Sequence, residues 1–228
     1  MKPIYNPKGA AKEYCEWALN IYTGCPHRCF YCYCPQVLRR NEEDFFSKVE
    51  PRKNIVEETK KQLEREGITG KLIQLCFIGD PYPTGYDTTP TREIIKLLKE
   101  YGNHVQILTK GDGTRDFDLM DGEDWYGITL DGKTVISAGC PPAFQIRRAK
   151  ERGIKTWVSF EPVLDAVRVL WLIKAMAHMV DKVKIGKLNY HQSDINWKCF
   201  GHEAERLCRQ YGLDYYIKDS LREEMEKS

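Results

Sequence analysis

The chain has 228 residues, 42% hydrophobic and 30% charged, with a formal net charge of +2 at pH 7, a balance ordinary for a soluble globular protein. No stretch approaches the roughly 18 apolar residues of a membrane span, and the opening "MKPIYNPKGAAKEYCEW" lacks the apolar core of a signal peptide. A cytoplasmic location with no membrane contact is therefore expected, where nine cysteines serve metal or redox chemistry in preference to disulfides.

In chain order, "ALNIYTG" (18–24) reads as a first strand and runs directly into "CPHRCFYCYC". "NIVEETKKQLEREG" (54–67) has helical spacing of Ile55, Val56, Thr59 and Leu63 and a glycine stop at Gly67. "KLIQLCFIG" (71–79) is a buried strand, "TREIIKLLKEYG" (91–102) a helix, "HVQILTK" (104–110) a strand, and "RDFDLM" a short helix. The next strand is either "DWYGITL" (124–130) or "TVISAG" (134–139).

"AFQIRRAKERG" (143–153) and "KTWVSFEPV" (155–163) form a further helix and strand, followed by "VRVLWLIKAMAHM" as helix and "DKVKIGKLN" as strand. The tail adds the helix "KCFGHEAERLCRQYG", the strand "LDYYIK" and the helix "SLREEMEK". Regular alternation of this kind specifies parallel strands with helices outside. A complete eight-unit barrel needs about 250 residues, so the expected fold is α/β, a partial (β/α)6-type TIM barrel with a C-terminal helical extension, in a single domain over 1–228. In such barrels reactive groups sit at the C-terminal ends of strands.

Cys25, Cys29 and Cys32 are spaced C-x3-C-x2-C just after the first expected strand. Three thiolates can hold three corners of a 4Fe-4S cubane and leave one iron for a non-protein ligand. A structural zinc site would show a second Cys or His pair, which is missing. Cys34 is an alternative fourth ligand that would close the site, although it stands only two residues from Cys32 and is followed by Pro35.

The element C-x3-C-x-aromatic-C, carried by Cys25, Cys29, Tyr31 and Cys32, resembles the motif of the radical S-adenosylmethionine superfamily. "TGCPHRCFYCY", "GDPYPTGYD", "TKGDGTRD" and "SFEPV", in that order, resemble its spore photoproduct lyase-like branch over about residues 18–190, with Cys34 where that branch usually has Ala. The resemblance implies an enzyme in which a 4Fe-4S cluster reductively cleaves S-adenosylmethionine to methionine and a 5'-deoxyadenosyl radical. It also implies a one-electron reductant such as flavodoxin or ferredoxin.

Strand ends supply the cofactor contacts that such an enzyme needs. Gly79 permits close approach, and the resemblance places Asp80 at the methionyl ammonium and Lys110, with Thr109, at the methionyl carboxylate. Thr129, Ser159 and Glu161 are candidates for ribose or methionyl contacts. Tyr31 matches the aromatic whose backbone meets adenine, Phe30 and Tyr33 can pack the cluster dry, and His27 fits the branch pattern without an evident role.

Lys187, Asn189, Tyr190 and His191 end the sixth strand as candidate substrate contacts. Cys140, on the turn "AGCPP", is the thiol placed to return a hydrogen atom to a product radical. Cys76 reads better as a small core residue, and Cys199 and Cys208 are too loosely spaced for an auxiliary cluster. Nucleic acid is one substrate class, with Arg39, Arg40, Arg147, Arg148 and Arg152 as basic groups, and a peptide or small metabolite is the other. The competing function is a non-catalytic iron-sulfur carrier or sensor with Cys34 as fourth ligand.

Overall fold

A computed structural model describes residues 2–133 and 139–227. Its strands are β1 (Ile4–Tyr5), β2 (Trp17–Leu19), β3 (Leu72–Leu75), β4 (His104–Thr109), β5 (Trp125–Thr129), β6 (Lys155–Phe160), β7 (Lys182–Ile185) and β8 (Asp214–Ile217). They form one sheet in chain order; β1 is antiparallel to β2, and every later pair is parallel. Parallel neighbours cannot be joined by a tight hairpin, so each connection crosses over, usually through a helix packed on the sheet.

The helices are α1 (Cys34–Leu38), α2 (Glu42–Ser47), α3 (Ile55–Glu66), α4 (Thr89–Glu100), α5 (Pro142–Glu151), α6 (Ala166–Met176), α7 (Trp197–Gln210) and α8 (Asp219–Glu226). The α3 helix ends where its glycine predicted: Gly67 has φ +59° and donates its N–H to Leu63 O, a left-handed stop that costs glycine nothing. Buried Ile55, Thr59 and Leu63 form its inward stripe. Of the two alternatives for the fifth strand, "DWYGITL" supplies β5, while residues 134–138 of "TVISAG" lie outside the described residues.

The core of the sheet depends on one small-to-large exchange. Gly127 pairs with Trp157 across β5 and β6, and a Cβ on Gly127 would stand 2.2 Å from Trp157 Nε1. The missing side chain makes room for the indole, which is 1% exposed and donates to Ile107 O at 2.9 Å.

The first expected strand is shorter than its apolar run suggested, ending at Leu19. Beyond it the chain turns away: Thr23 N–H bonds Glu50 O, Arg52 N–H bonds Ile21 O, and Cys25 N–H bonds Phe45 O. Strand β1, a 3-10 helix (Gly9–Glu13) and α1 and α2 have no counterpart in the sequence reading.

The 3-10 helix links the two edges of the sheet. Lys218, after β8, donates to Ala10 O at 3.1 Å, and Asp219 N–H donates to Glu13 Oε2 at 3.1 Å. Lys184 of β7 donates to the carbonyls of Glu13 and Tyr14 at 2.8 and 3.0 Å. Tyr14 thereby enters the barrel, its ring 6.0 Å from those of Phe77 and Trp157.

Candidate active site

The cysteine loop follows β2 and is fixed from beneath. Asn20 accepts the N–H groups of Phe77 and Ile78 on one oxygen, at 2.8 and 2.7 Å, which binds the loop after β3 to the end of β2. Gly24 has no space for a side chain, since a Cβ would stand 2.4 Å from Phe45 O. Gly79 has φ +83°, and its Cβ would stand 2.8 Å from Gly24 O. Both glycines are needed for the two loops to touch.

Cys25, Cys29 and Cys32 are half-buried thiols on this loop. Cys25 and Cys32 pack against an apolar wall of Cys34, Phe45, Phe46 and Ile78. Burial raises the Cys25 and Cys29 thiols, and a hydrogen bond shared with Cys34, followed by burial, raises Cys32. Unmetallated, these groups hold their protons; a bound metal centre is what would favour the thiolates.

The donor set bears on which metal centre the loop suits. Four 2.3 Å bonds to a single tetrahedral ion bring sulfurs to about 3.8 Å from one another. Among the described residues, the one set of three Cys, His, Asp or Glu ligand atoms all within 4.8 Å is His104, Asp121 and Asp124. The three loop sulfurs are thus not gathered within 4.8 Å of one another, and three partly buried thiols with an apolar wall are compatible with three corners of a cubane. Cys34 begins α1, is 4% exposed and points its thiol at Phe77 O, 3.7 Å away, on the wall behind Cys32.

Asp80 lies on the next strand end, 7% exposed. It accepts from Tyr82 N–H at 2.8 Å, Thr109 Oγ1 at 2.5 Å and Lys110 N–H at 2.7 Å. His27 Nδ1 faces its Oδ2 at 3.4 Å. A carboxylate offers about four lone-pair directions, so Asp80 first organises the ends of β3 and β4 and keeps one direction, now toward His27, for a further donor.

Lys110, Tyr31 and Asp131 close a ring of hydrogen bonds. The Lys110 ammonium donates to the Tyr31 hydroxyl and, at 2.9 Å, to Asp131 Oδ2. The Tyr31 hydroxyl donates to that same oxygen at 2.9 Å. Burial above all, then Cys29 and Asp131, raises the Tyr31 phenol, so it remains a donor. Tyr31 thus enters this ring through its side chain.

Ser159 and Glu161 belong to a different set of partners. Thr129 pairs with Ser159 in register, but Ser159 Oγ lies 3.1 Å from the Tyr14 hydroxyl. The same hydroxyl donates to Glu161, which also pairs with Lys218 at 3.2 Å. Gly186 is needed opposite, where a Cβ would meet the Glu161 carboxyl carbon at 2.8 Å.

Cys140 is half-buried before α5, its carbonyl held by Gln145 Nε2 at 2.7 Å. Cys76 accepts Ile21 N–H at 3.4 Å in the main core, where burial pushes its thiol up to about 12. Cys208 is buried and Cys199 exposed. Of the residues after β7, Lys187 pairs with Glu224 and Asn189 donates to Lys187 O at 3.4 Å. Tyr190 is 97% exposed, and His191 stacks edge-on against Phe30 at 5.4 Å. Arg147 and Arg148 lie over Phe144 on the outer helix α5.

Tyr14, Asp131, Lys184 and Lys218 had no motif to mark them in the sequence. The signal for Asp131 was position alone, two residues past Thr129 at a strand end.

Comparison with known proteins matches residues 19–134 to the Radical SAM superfamily model. The chain belongs to the radical SAM superfamily. It is 29% identical over 198 residues to the uncharacterized protein ORF301 of Acidianus two-tailed virus, covering 76% of this chain and 65% of that relative's length.

Among solved structures it is similar to spore photoproduct lyase complexed with dinucleoside spore photoproduct, with TM-score 0.68 and 13% identity over 93% of this chain and 79% of that one. It is likewise similar to a variant of that lyase with bound AdoMet and dinucleoside spore photoproduct, at TM-score 0.68 and 12% identity over 93% and 78%. Those likenesses establish the partial-barrel fold. No helix of the described residues is long and apolar enough to cross a membrane.

Proposed function

We propose that this chain holds a 4Fe-4S cluster on Cys25, Cys29 and Cys32 and binds S-adenosylmethionine beside it for hydrogen abstraction from a substrate. When bound and reduced by one electron, that pair supplies methionine and a 5'-deoxyadenosyl radical. The supporting observation is the contact of the cysteine loop with the β3 end, where Gly79 at φ +83° comes against Gly24 and sets Asp80 beside Cys25.

The chain's own residues divide the work of binding. Lys110 has three donors, two of which are taken by Tyr31 and Asp131; the third serves the methionyl carboxylate. Asp80 offers its remaining lone-pair direction to the methionyl ammonium, in competition with His27. Thr129, at the end of β5, is the residue we assign to the ribose. Ser159 and Glu161 support the floor through Tyr14, and Cys140 is the thiol on the rim. Phe45, Phe46 and Ile78 keep water from the sulfurs, which influences cluster potential.

The substrate approaches at the C-terminal mouth, where Phe30 and Tyr190 are exposed and His191 packs on Phe30. Flat rings at the rim suit a nucleobase, and the matched lyase is named for a nucleic-acid photoproduct; nucleic acid is therefore the substrate class we favour. A small one-electron reductant such as flavodoxin or ferredoxin is the partner, and nine free cysteines suit the reducing cytoplasm.

Anaerobic loading with iron and sulfide, followed by electron paramagnetic resonance of the reduced chain, tests the reading. Addition of S-adenosylmethionine is expected to alter the cluster signal. A cluster whose signal is insensitive to it would favour the carrier or sensor alternative.

A further inference from the structure

We propose that Asp131 is a positioning residue of the cofactor site, holding the Lys110 ammonium and the Tyr31 hydroxyl so that Lys110 presents one donor to a carboxylate. This rests on the reading of Lys110 given above. Asp131 is 2% exposed, and its Oδ2 receives both Lys110 and Tyr31 at 2.9 Å.

The loop carrying Asp131 is itself fixed. Lys133 N–H donates to Oδ1 at 2.9 Å, and Leu164 N–H donates to the Asp131 carbonyl at 2.8 Å. The carboxylate is thus a rigid anchor on β5's exit, reached by a lysine from β4's exit and a tyrosine from the cysteine loop. A long ammonium side chain left to itself samples many rotamers. Pinned by two of its three donors, it loses that freedom before a ligand arrives.

The arrangement also balances charge. A half-buried Lys110 with no anion beneath it would be costly to desolvate. With Asp131 beside it the pair is close to neutral, and the lysine side chain keeps 11% exposure while the carboxylate keeps none. Tyr31 lies between two proposed cluster ligands, so the same anchor ties the carboxylate-binding donor to the cysteine loop. Charge-assisted hydrogen bonds in a fixed geometry carry specificity for a carboxylate partner.

The test compares two probes on the cluster-loaded full chain: S-adenosylmethionine and its decarboxylated form. The unaltered protein is expected to prefer the carboxylate-bearing probe. Asp131→Asn keeps the shape and loses the charge, and is expected to reduce that preference about tenfold, the worth of one charge-assisted hydrogen bond. Tyr31→Phe should reduce it less, with iron content and the unfolding midpoint as controls for folding.

An equal weakening of both probes in Asp131→Asn and Tyr31→Phe, or an unchanged ratio, would overturn the proposal while leaving Lys110 its role. If the unaltered chain fails to distinguish the probes, the Lys110 assignment falls and this inference with it. Should Asp131→Asn fail to fold, Tyr31→Phe decides alone: a reduced ratio supports the anchor and an unchanged ratio removes it.

Discussion

His27 rests against Asp80, its Nδ1 3.4 Å from Oδ2 while its Nε2 lies 3.2 Å from Thr84 Oγ1. This places an imidazole from the cysteine loop on the remaining acceptor direction of the carboxylate that organises two strand ends. The motif position of His27 thereby acquires a physical role: it takes the acceptor direction of Asp80 that the proposed function assigns to the methionyl ammonium.

Asp80→Asn is expected to destabilise the chain by about 1–3 kcal/mol, because an amide nitrogen would face groups that now donate to a carboxylate. Thr109→Val removes one donor to Asp80 and the acceptor of Gly111 N–H, at 2.7 Å. Its cost should fall in the same range. Denaturant unfolding checks both, and an unchanged midpoint for Asp80→Asn would contradict the organising role.

Cys34→Ala should leave the iron content of the reconstituted protein unchanged, whereas Cys29→Ala should abolish stable incorporation. Iron and acid-labile sulfide analysis measures this. Loss of iron in Cys34→Ala would make Cys34 a fourth ligand and close the site to an exchangeable one.

Tyr14→Phe removes the hydroxyl shared by Ser159 and Glu161, with an expected cost of about 1–3 kcal/mol for a buried serine and a half-buried carboxylate left less satisfied. Ser159→Ala combined with it should cost less than the sum of the two changes, because they remove one shared contact. Additive unfolding energies would show that the contact contributes nothing.

Lys184 gives a pH signature. Burial, followed by Lys182 and Lys218, lowers its pKa from the ordinary 10.5 to about 8. Between pH 8 and 10.5 the unfolded chain binds more protons at this group than the folded chain does. Its contribution to stability therefore rises with pH through that window. The difference in unfolding energy between the unaltered chain and Lys184→Met should grow in favour of the lysine as pH rises from 8 to 10. A flat difference would contradict the burial of this ammonium beside two other lysines.

The alternation of strands and helices was legible because each crossover pairs an apolar strand with an amphipathic stripe such as Ile94, Leu97 and Leu98 in α4. The cysteine motif was legible for a chemical reason, since few purposes other than a metal centre require three thiols in eight positions. The N-terminal segment was not: Ala10–Tyr14 has neither period, and its place depends on Lys184 and Lys218, about 170 and 208 residues away in sequence. Asp131 was missed for the same reason, because a lone aspartate after a strand becomes a site residue only when Tyr31 and Lys110 are brought onto it.

The sequence offered Ser159 and Glu161 as candidates for ribose or methionyl contacts, and within the protein their side chains meet Tyr14 and Lys218. Strand-end position was correctly read in both. What a linear reading lacks is the inserted phenol, which comes from a segment before the barrel begins.

The central claim, cofactor cleavage at the three-cysteine loop, is tested most directly by assaying 5'-deoxyadenosine after anaerobic reconstitution, dithionite and S-adenosylmethionine. The account predicts its formation by the unaltered chain and none from Cys29→Ala. An intact cluster that yields no 5'-deoxyadenosine under those conditions would contradict it.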